Sequence, residues 1–335
     1  YDSDPSFGNY KSKTLFAEAY TNVYLAEHLG LLAGVDYRGQ KANIETTYGN
    51  LGSDSLHTDQ VSGYASLLLK SIEGFSAELG GRYTHHSQFG SAFTYSINPS
   101  YLINKQVKVF VNISSGFRSP SIYNIASEYG NRNIKPEKSM SYEGGIQYIN
   151  SSNTVNLRAT AFARDIRDVI IFKSLFVAPY GQYDNANKQK DKGFELEATV
   201  RPADKWNITA NYSYVDGKVT APKGSKDTSY FNLYRRPKNT VNTTVGFQAC
   251  RKFYASVGLR WVDKRQDQFY NSNTFSVENK TLASYYNLNV YGAWQATSYL
   301  KAFVDLQNVT DQQYFDAYGY NSRRFNFMAG VSVRF

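Results

Sequence analysis

Catalysis or metal binding in this chain would fall first to four histidines, one cysteine and a handful of aspartates. The histidines are His28, His57, His85 and His86. A hydrolytic centre needs one of them beside a hydroxyl or carboxylate partner. His28 falls in a short turn and His57 in a loop, while the adjacent His85 and His86 point to opposite faces of a strand. None stands in a catalytic constellation, so the chain reads as a non-enzyme with no cofactor of its own. Cys250, in a tight turn, can build neither a disulfide nor a cysteine metal site within the chain. No glycine-rich phosphate loop or zinc spacing occurs. Asp263, Asp267, Asp311 and Asp316 offer oxygens to calcium, although charged loop tips are ordinarily just solvated.

These residues are carried by a chain of unusual composition. Charged residues make up 19% of the 335, while Tyr and Phe number 29 and 21 and Gly 24. Tyr, Phe and Thr favour strands, and Gly, Asn and Ser mark turns, which points to an all-β fold. No apolar run approaches the ~18 residues of a transmembrane helix. That excludes helical membrane proteins but not barrels, whose strands alternate and leave the average polar. The formal charge of +9 suits an anionic ligand or lipid phosphate. The cations are scattered rather than clustered, which argues against nucleic acid.

Alternation with period two recurs almost everywhere. In GFELEATVR, Phe194, Leu196, Ala198 and Val200 alternate with Glu195, Glu197, Thr199 and Arg201. The terminal FNFMAGVSVRF sets Phe325, Phe327, Ala329, Val331, Val333 and Phe335 on one face. Such segments are strands with one apolar and one polar environment. The pattern predicts fifteen of them, near 10–26, 29–43, 58–71, 75–88, 91–104, 106–117, 137–149, 153–173, 182–201, 204–218, 235–248, 252–267, 281–296, 298–309 and 323–335. Short and long connections alternate between them, except at the short HHSQFG turn. A soluble sandwich has strands of about five or six residues and no such parity. Long strands with length parity indicate an antiparallel transmembrane β-barrel. Aromatics near strand ends, namely Tyr24, Tyr83, Tyr101, Tyr148, Trp206, Tyr254, Trp261, Trp294 and Tyr299, would form its girdles. An odd strand count leaves an open edge, which hydrocarbon does not tolerate. Either the pattern hides one more strand or the chain lacks its beginning, and the second is the expectation.

One stretch narrows the family. FVNISSGFRSPSIYNIASEYGNRNIKPEKSMSYEGGIQY resembles a segment of TonB-dependent outer-membrane receptors. The matching residues are Gly116, Phe117, Arg118 and Pro120, then Gly130, Asn131, Ile134, Pro136, Glu137 and Ser139, then Tyr142, Glu143 and Gly145. FARDIRDVIIF, NANKQKDKGFELEATV and LQNVTDQQYFDAYGYNSRRFNFMAGVSVRF are similar to later strands of that family, in the same order. Within it, LLAGVDYRGQ, the SQFG turn and LYRRPKNTV look closest to cobalamin receptors of the BtuB type.

The resemblance implies that residues 1–335 are the C-terminal portion of the barrel, the last fifteen of twenty-two strands. A barrel of that size has a plugged lumen and needs roughly 480 residues. The plug, seven strands and the TonB box would then lie outside this sequence. The implied function is import of a corrinoid across the outer membrane of a Gram-negative bacterium, driven by the TonB complex through the plug. An iron-siderophore or other metal-chelate receptor is the alternative within the class, and a passive channel the alternative outside it. Two ligand contacts carry over, Arg235 and Tyr270. A structural ion pair with Glu195 or Glu197, and a loop aromatic without ligand, are their respective alternatives. Calcium would sit in loops upstream of residue 1. Lumen charges such as Arg158, Arg164, Glu195, Glu197, Arg201 and Arg260 would hold the plug, and outward Lys and Arg would pair with lipopolysaccharide phosphates. A surface lipoprotein is a further possible partner.

Overall fold

The computed structural model describes residues 9–46, 49–51, 56–175, 177–223, 226–230 and 234–334. In chain order the strands are β1 (Asn9–Ala26), β2 (Leu29–Thr46), β3 (Gly49–Leu51), β4 (His57–Ile72), β5 (Phe75–His86), β6 (Gly90–Ile103) and β7 (Val107–Arg118). A single helical turn, α1 (Ile122–Ala126), precedes β8 (Glu137–Ile149), β9 (Val155–Ser174), β10 (Gly181–Val200) and β11 (Trp206–Lys223). There follow β12 (Lys226–Tyr230), β13 (Asn239–Cys250), β14 (Phe253–Val262), β15 (Arg265–Asn271), β16 (Ser276–Leu282), β17 (Tyr285–Gln295), β18 (Leu300–Gln307) and β19 (Asn326–Val333).

Each of the fifteen expected strands has a counterpart, and each pairs antiparallel with the next in one continuous meander. The four extra strands are short. β3 and β12 extend β2 and β11 beyond the wall, and β15 and β16 form a separate hairpin. Tight turns at 27–28, 73–74, 104–106 and 251–252 close one rim, as the length parity predicted. Gly74, at φ +90°, makes one of them possible, because its missing Cβ would meet the Leu102 carbonyl. The SQF segment 87–89 is a tight connection on the opposite, long-loop rim.

One face of the sheet is apolar and exposed. Val35, Val61, Leu79, Phe93, Ile146, Leu196 and Val257 stand on it, Val35 at 59% exposure and Phe93 at 65%. An apolar surface of that extent finds its solvent in lipid. The other face is polar and knitted across strands. Arg82 bonds Asp36 at 2.6 Å and Ser62 at 2.8 Å, Tyr64 donates to Glu18 at 2.7 Å, and Arg164 bonds Asp191. Tyr101, Tyr148, Trp206 and Trp294 form the expected girdle toward the tight-turn rim. Tyr24 and Tyr254 do not join it. Strand parity puts both on the polar face, where Tyr254 lies 6.2 Å from Tyr291 and Tyr24 meets Lys70. No pairing joins β1 to β19 among the described residues, so the wall is an open one with a free edge at each end.

Four strand ends differ from expectation by four residues or more. Those predicted to begin at 235 and 281 begin at Asn239 and Tyr285, the one predicted to stop at 218 runs on to Lys223, and the one predicted to run to 267 stops at Val262. There Asp263 turns the chain by accepting the Lys264 N–H at 2.7 Å and Asn239 Nδ2 at 2.6 Å. The chain past it leaves the wall as the β15–β16 hairpin, which alternation alone cannot distinguish from a wall strand.

Candidate functional site

Two assemblies rise from the long-loop rim. The first is the β7–β8 connection. Ser121 begins α1 by accepting the Asn124 N–H at 3.2 Å, and Asn124 Oδ1 accepts the Ser121 N–H at 3.0 Å. Ile122 then packs with Ile44 of β2 and with Leu56. The connection thus crosses from its own strands to lie against β1 and β2. Rings continue the path: Tyr10 to Tyr123 at 5.5 Å, Tyr123 to Tyr183 at 5.9 Å, Tyr183 to Phe172 at 5.3 Å and Phe172 to Tyr129 at 5.4 Å. Burial, with Glu128 and Tyr10 beside it, pushes the Tyr123 phenol up to about 12. Glu137 pins the far end, accepting Arg118 Nη1 at 3.0 Å and the Ile170 N–H at 2.7 Å. A cavity of about 280 Å³ opens between Tyr10, Gln40, Ile44 and Tyr123.

The second assembly centres on the hairpin β15–β16. Asp267, only 1% exposed, accepts Arg235 Nε at 2.8 Å, the Tyr318 N–H at 2.7 Å and the Gln268 N–H at 2.8 Å. One carboxylate therefore ties together the β11–β13, β14–β17 and β18–β19 connections. Burial works to raise its pKa. The Tyr318 amide, the Arg235 guanidinium and the Gln268 amide outweigh burial and hold it below the usual carboxylate range. Arg265 is also buried. It donates to the Phe315 carbonyl and to Asp316 at 3.2 Å, and its guanidinium lies 5.0 Å from the Tyr285 ring centre. Tyr285 donates to Asp316 at 3.0 Å and stacks on Tyr314 with centroids 3.9 Å apart.

Arg235 therefore has a structural partner, but the partner is Asp267 rather than Glu195 or Glu197. Its side chain stays half exposed on a backbone of φ +62°, and its N–H donates to Gln266 at 2.7 Å. Tyr270 lies on the β15–β16 hairpin four residues past Gln266, its backbone opposite Val277, and its side chain lies outside the described residues. Arg235, on the β12–β13 connection, is thus bonded to the hairpin that carries Tyr270. The unit of Arg265, Tyr285 and Asp316 escaped sequence reasoning, because a buried loop arginine carries no local signal. Each of the four aspartates considered for calcium is turned to N–H donors instead. Asp311 bonds Arg324 at 2.5 Å and the Phe325 N–H at 2.9 Å, and both hold its pKa down. Among the described residues no three acidic, histidine or cysteine side chains gather as a metal site. His85 Nδ1 lies 3.1 Å from Ser91 Oγ as a cross-strand pair.

The rim also presents groups with no internal role. Arg132, Arg236 and Arg323 are exposed, and their guanidinium groups have no hydrogen bond or ion pair among the described residues. Tyr180, Phe275 and Tyr320, on three different connections, are 69%, 77% and 74% exposed. Unpaired guanidinium forks and open aromatic faces suit a large, partly anionic and aromatic ligand.

The family model described as "TonB dependent receptor-like, beta-barrel" matches residues 1–309. A variant of the ferric enterobactin receptor PfeA from Pseudomonas aeruginosa superposes with a TM-score of 0.77 at 18% identity, over 98% of this chain and 54% of that one. The siderophore receptor PirA from Acinetobacter baumannii gives 0.76 at 16% identity, over 98% and 55%. P. aeruginosa FpvA bound to a pyoverdine gives 0.74 at 18% identity, over 97% and 48%. The chain spans about half the length of these structures, all three of which are named for siderophores. With that match over nearly its whole length and an antiparallel wall of the kind it requires, the chain belongs to the TonB-dependent receptor β-barrel family.

Proposed function

We propose that the chain is the C-terminal portion of an outer-membrane receptor that takes up a ferric siderophore in a TonB-dependent cycle. The observation that carries this is the rim of unpaired Arg132, Arg236 and Arg323 among exposed Tyr180, Phe275 and Tyr320. Ferric chelates with anionic, aromatic iron-binding arms match such a surface. The siderophore receptors that share the fold support the same reading. On the polar face, the side chains of Glu195, Glu197 and Arg260 have no hydrogen bond or ion pair among the described residues. That suits a lumen wall meeting a polar plug, through which TonB would act. A Gram-negative outer membrane is the corresponding location.

The second reading is a corrinoid receptor, favoured by the short 87–89 connection and the LLAGVDYRGQ and LYRRPKNTV runs. Equilibrium binding to the detergent-extracted full-length protein separates the two, with a ferric tris-catecholate and cyanocobalamin as probes. Ferric chelate binding that weakens at least tenfold in Arg236→Ala with Arg323→Ala is the expected result. Cyanocobalamin binding without chelate binding would overturn it in favour of the corrinoid. Binding of neither by a folded receptor would sink both.

A further inference from the structure

The wall parts between β6 and β7 at their long-loop ends. β6 stays on β5 as far as Gly90, opposite His86, and β7 stays on β8 as far as Arg118, opposite Glu137. Between themselves the two strands pair only up to Ser96 with Ser114 among the described residues. Past that level the Tyr95 N–H donates to the Ser115 hydroxyl at 2.8 Å instead of to a β7 carbonyl. On the other side the ladder skips Asn98 and Pro99, and proline has no N–H to give. The upper seam is therefore held by two ladder pairs, Ser96–Ser114 and Ile97–Ile113.

A hollow of about 460 Å³ fills the parting. Side chains of both faces line it, so it passes through the wall. Thr94, Gly116 and Ser139 belong to the polar face, and Phe93, Phe117 and Met140 to the lipid-facing one. On the lipid side the Tyr95 hydroxyl reaches over Ser115 to Met140 Sδ at 3.7 Å and floors the hollow. From Phe93 the exposed Ile97 and Val111 carry the apolar surface on into the band. Toward the rim no ladder pair closes the slot among the described residues. A slot that is apolar toward lipid, hydroxyl-lined toward the lumen and open at the rim fits one shape of ligand. That ligand has a polar head in the mouth and an apolar chain that stays in lipid. A closed wall would force such a chain into the wet lumen and forfeit its burial.

We propose that the β6–β7 slot seats the acyl chain of an amphiphilic ferric chelate whose head lies in the mouth. This rests on the chelate reading above and narrows it to acylated chelates. The test is equilibrium binding to the full-length protein in non-ionic detergent. The probes are a ferric tris-catecholate with one decanoyl chain and the same chelate without it. Each methylene taken from water is worth about fourfold in affinity. Preference for the acylated probe should thus fall by about tenfold or more in Phe93→Ala with Phe117→Ala. Micelle partition is common to both proteins and cancels, and heat-shifted electrophoretic mobility checks folding. Should that variant not fold, Ala92→Trp, which fills the slot from β6, should lower the preference equally. A diazirine midway along the chain should label residues 91–95 or 115–117. Unchanged preference in a folded variant, or label confined to other strands, would overturn the slot and leave the chelate reading standing. Binding of neither probe by a folded receptor would overturn the chelate reading, and the slot's occupant with it.

Discussion

A single carboxylate carries much of the order at the long-loop rim. Asp267 accepts from three different segments, and two of its donors are backbone amides that no substitution elsewhere can replace. Its pKa lies below that of an unfolded aspartate, with the sign that follows. The bonds are fully present above the unfolded carboxylate pKa and are lost as pH falls through the lower folded value. Acidification below about pH 4 should therefore release the β18–β19 connection while the wall stays paired. Amide exchange read at Tyr318 should accelerate in that window, and Asp267→Asn should accelerate it already at pH 7 and abolish the pH step. An Asn variant with wild-type protection at neutral pH would show that the guanidinium contact is idle. Arg235, carried over as a ligand contact, is one of this carboxylate's holders. Its exposed half remains free to meet a ligand, so a positioning role and a binding role are compatible in one side chain.

At the scale of strands, the polar face is shaped by rings lying over glycines. Phe162 sits opposite Gly193 and Phe303 opposite Gly330. A Cβ at Gly330 would come 2.6 Å from the Phe303 ring, and one at Gly193 would also strike the Tyr214 carbonyl. The two glycines thus differ in what blocks them, a movable side chain in one case and backbone in the other. Gly330→Ala should cost about 1–3 kcal/mol, and Phe303→Leu in the same chain should recover most of it. Gly193→Ala should not be rescued by Phe162→Leu. Urea unfolding of the full-length receptor in lipid vesicles reads both pairs. Rescue at both positions, or at neither, would contradict the geometry.

For the whole molecule, the decisive partition is between lipid and lumen. Leu196, mid-band on β10 and 45% exposed, contacts hydrocarbon, while its neighbour Glu197 looks to the polar side across from Arg158. Leu196→Arg should destabilise the receptor in bilayers by about 2–4 kcal/mol, whereas Glu197→Gln should stay within about 0.5 kcal/mol. The same unfolding assay measures both, and a reversed order would mean that the faces are assigned the wrong way round. The free edges of β1 and β19 belong at this scale too, since a backbone edge in hydrocarbon has to find a partner.

Period-two alternation by itself determined the fifteen wall strands, their faces and the parity of their connections, because side-chain direction in a strand is a local property. Motifs around Gly116–Gly145 placed the chain in its family for a related reason: turn and loop-end chemistry is written in consecutive residues. Local sequence did not determine where a strand leaves the wall, as at Asp263. Nor could it pair Arg235 with Asp267, 32 residues away, or bury Arg265 against Phe315 and Asp316, 50 and 51 residues on. Those contacts exist only once separate loops meet over the rim.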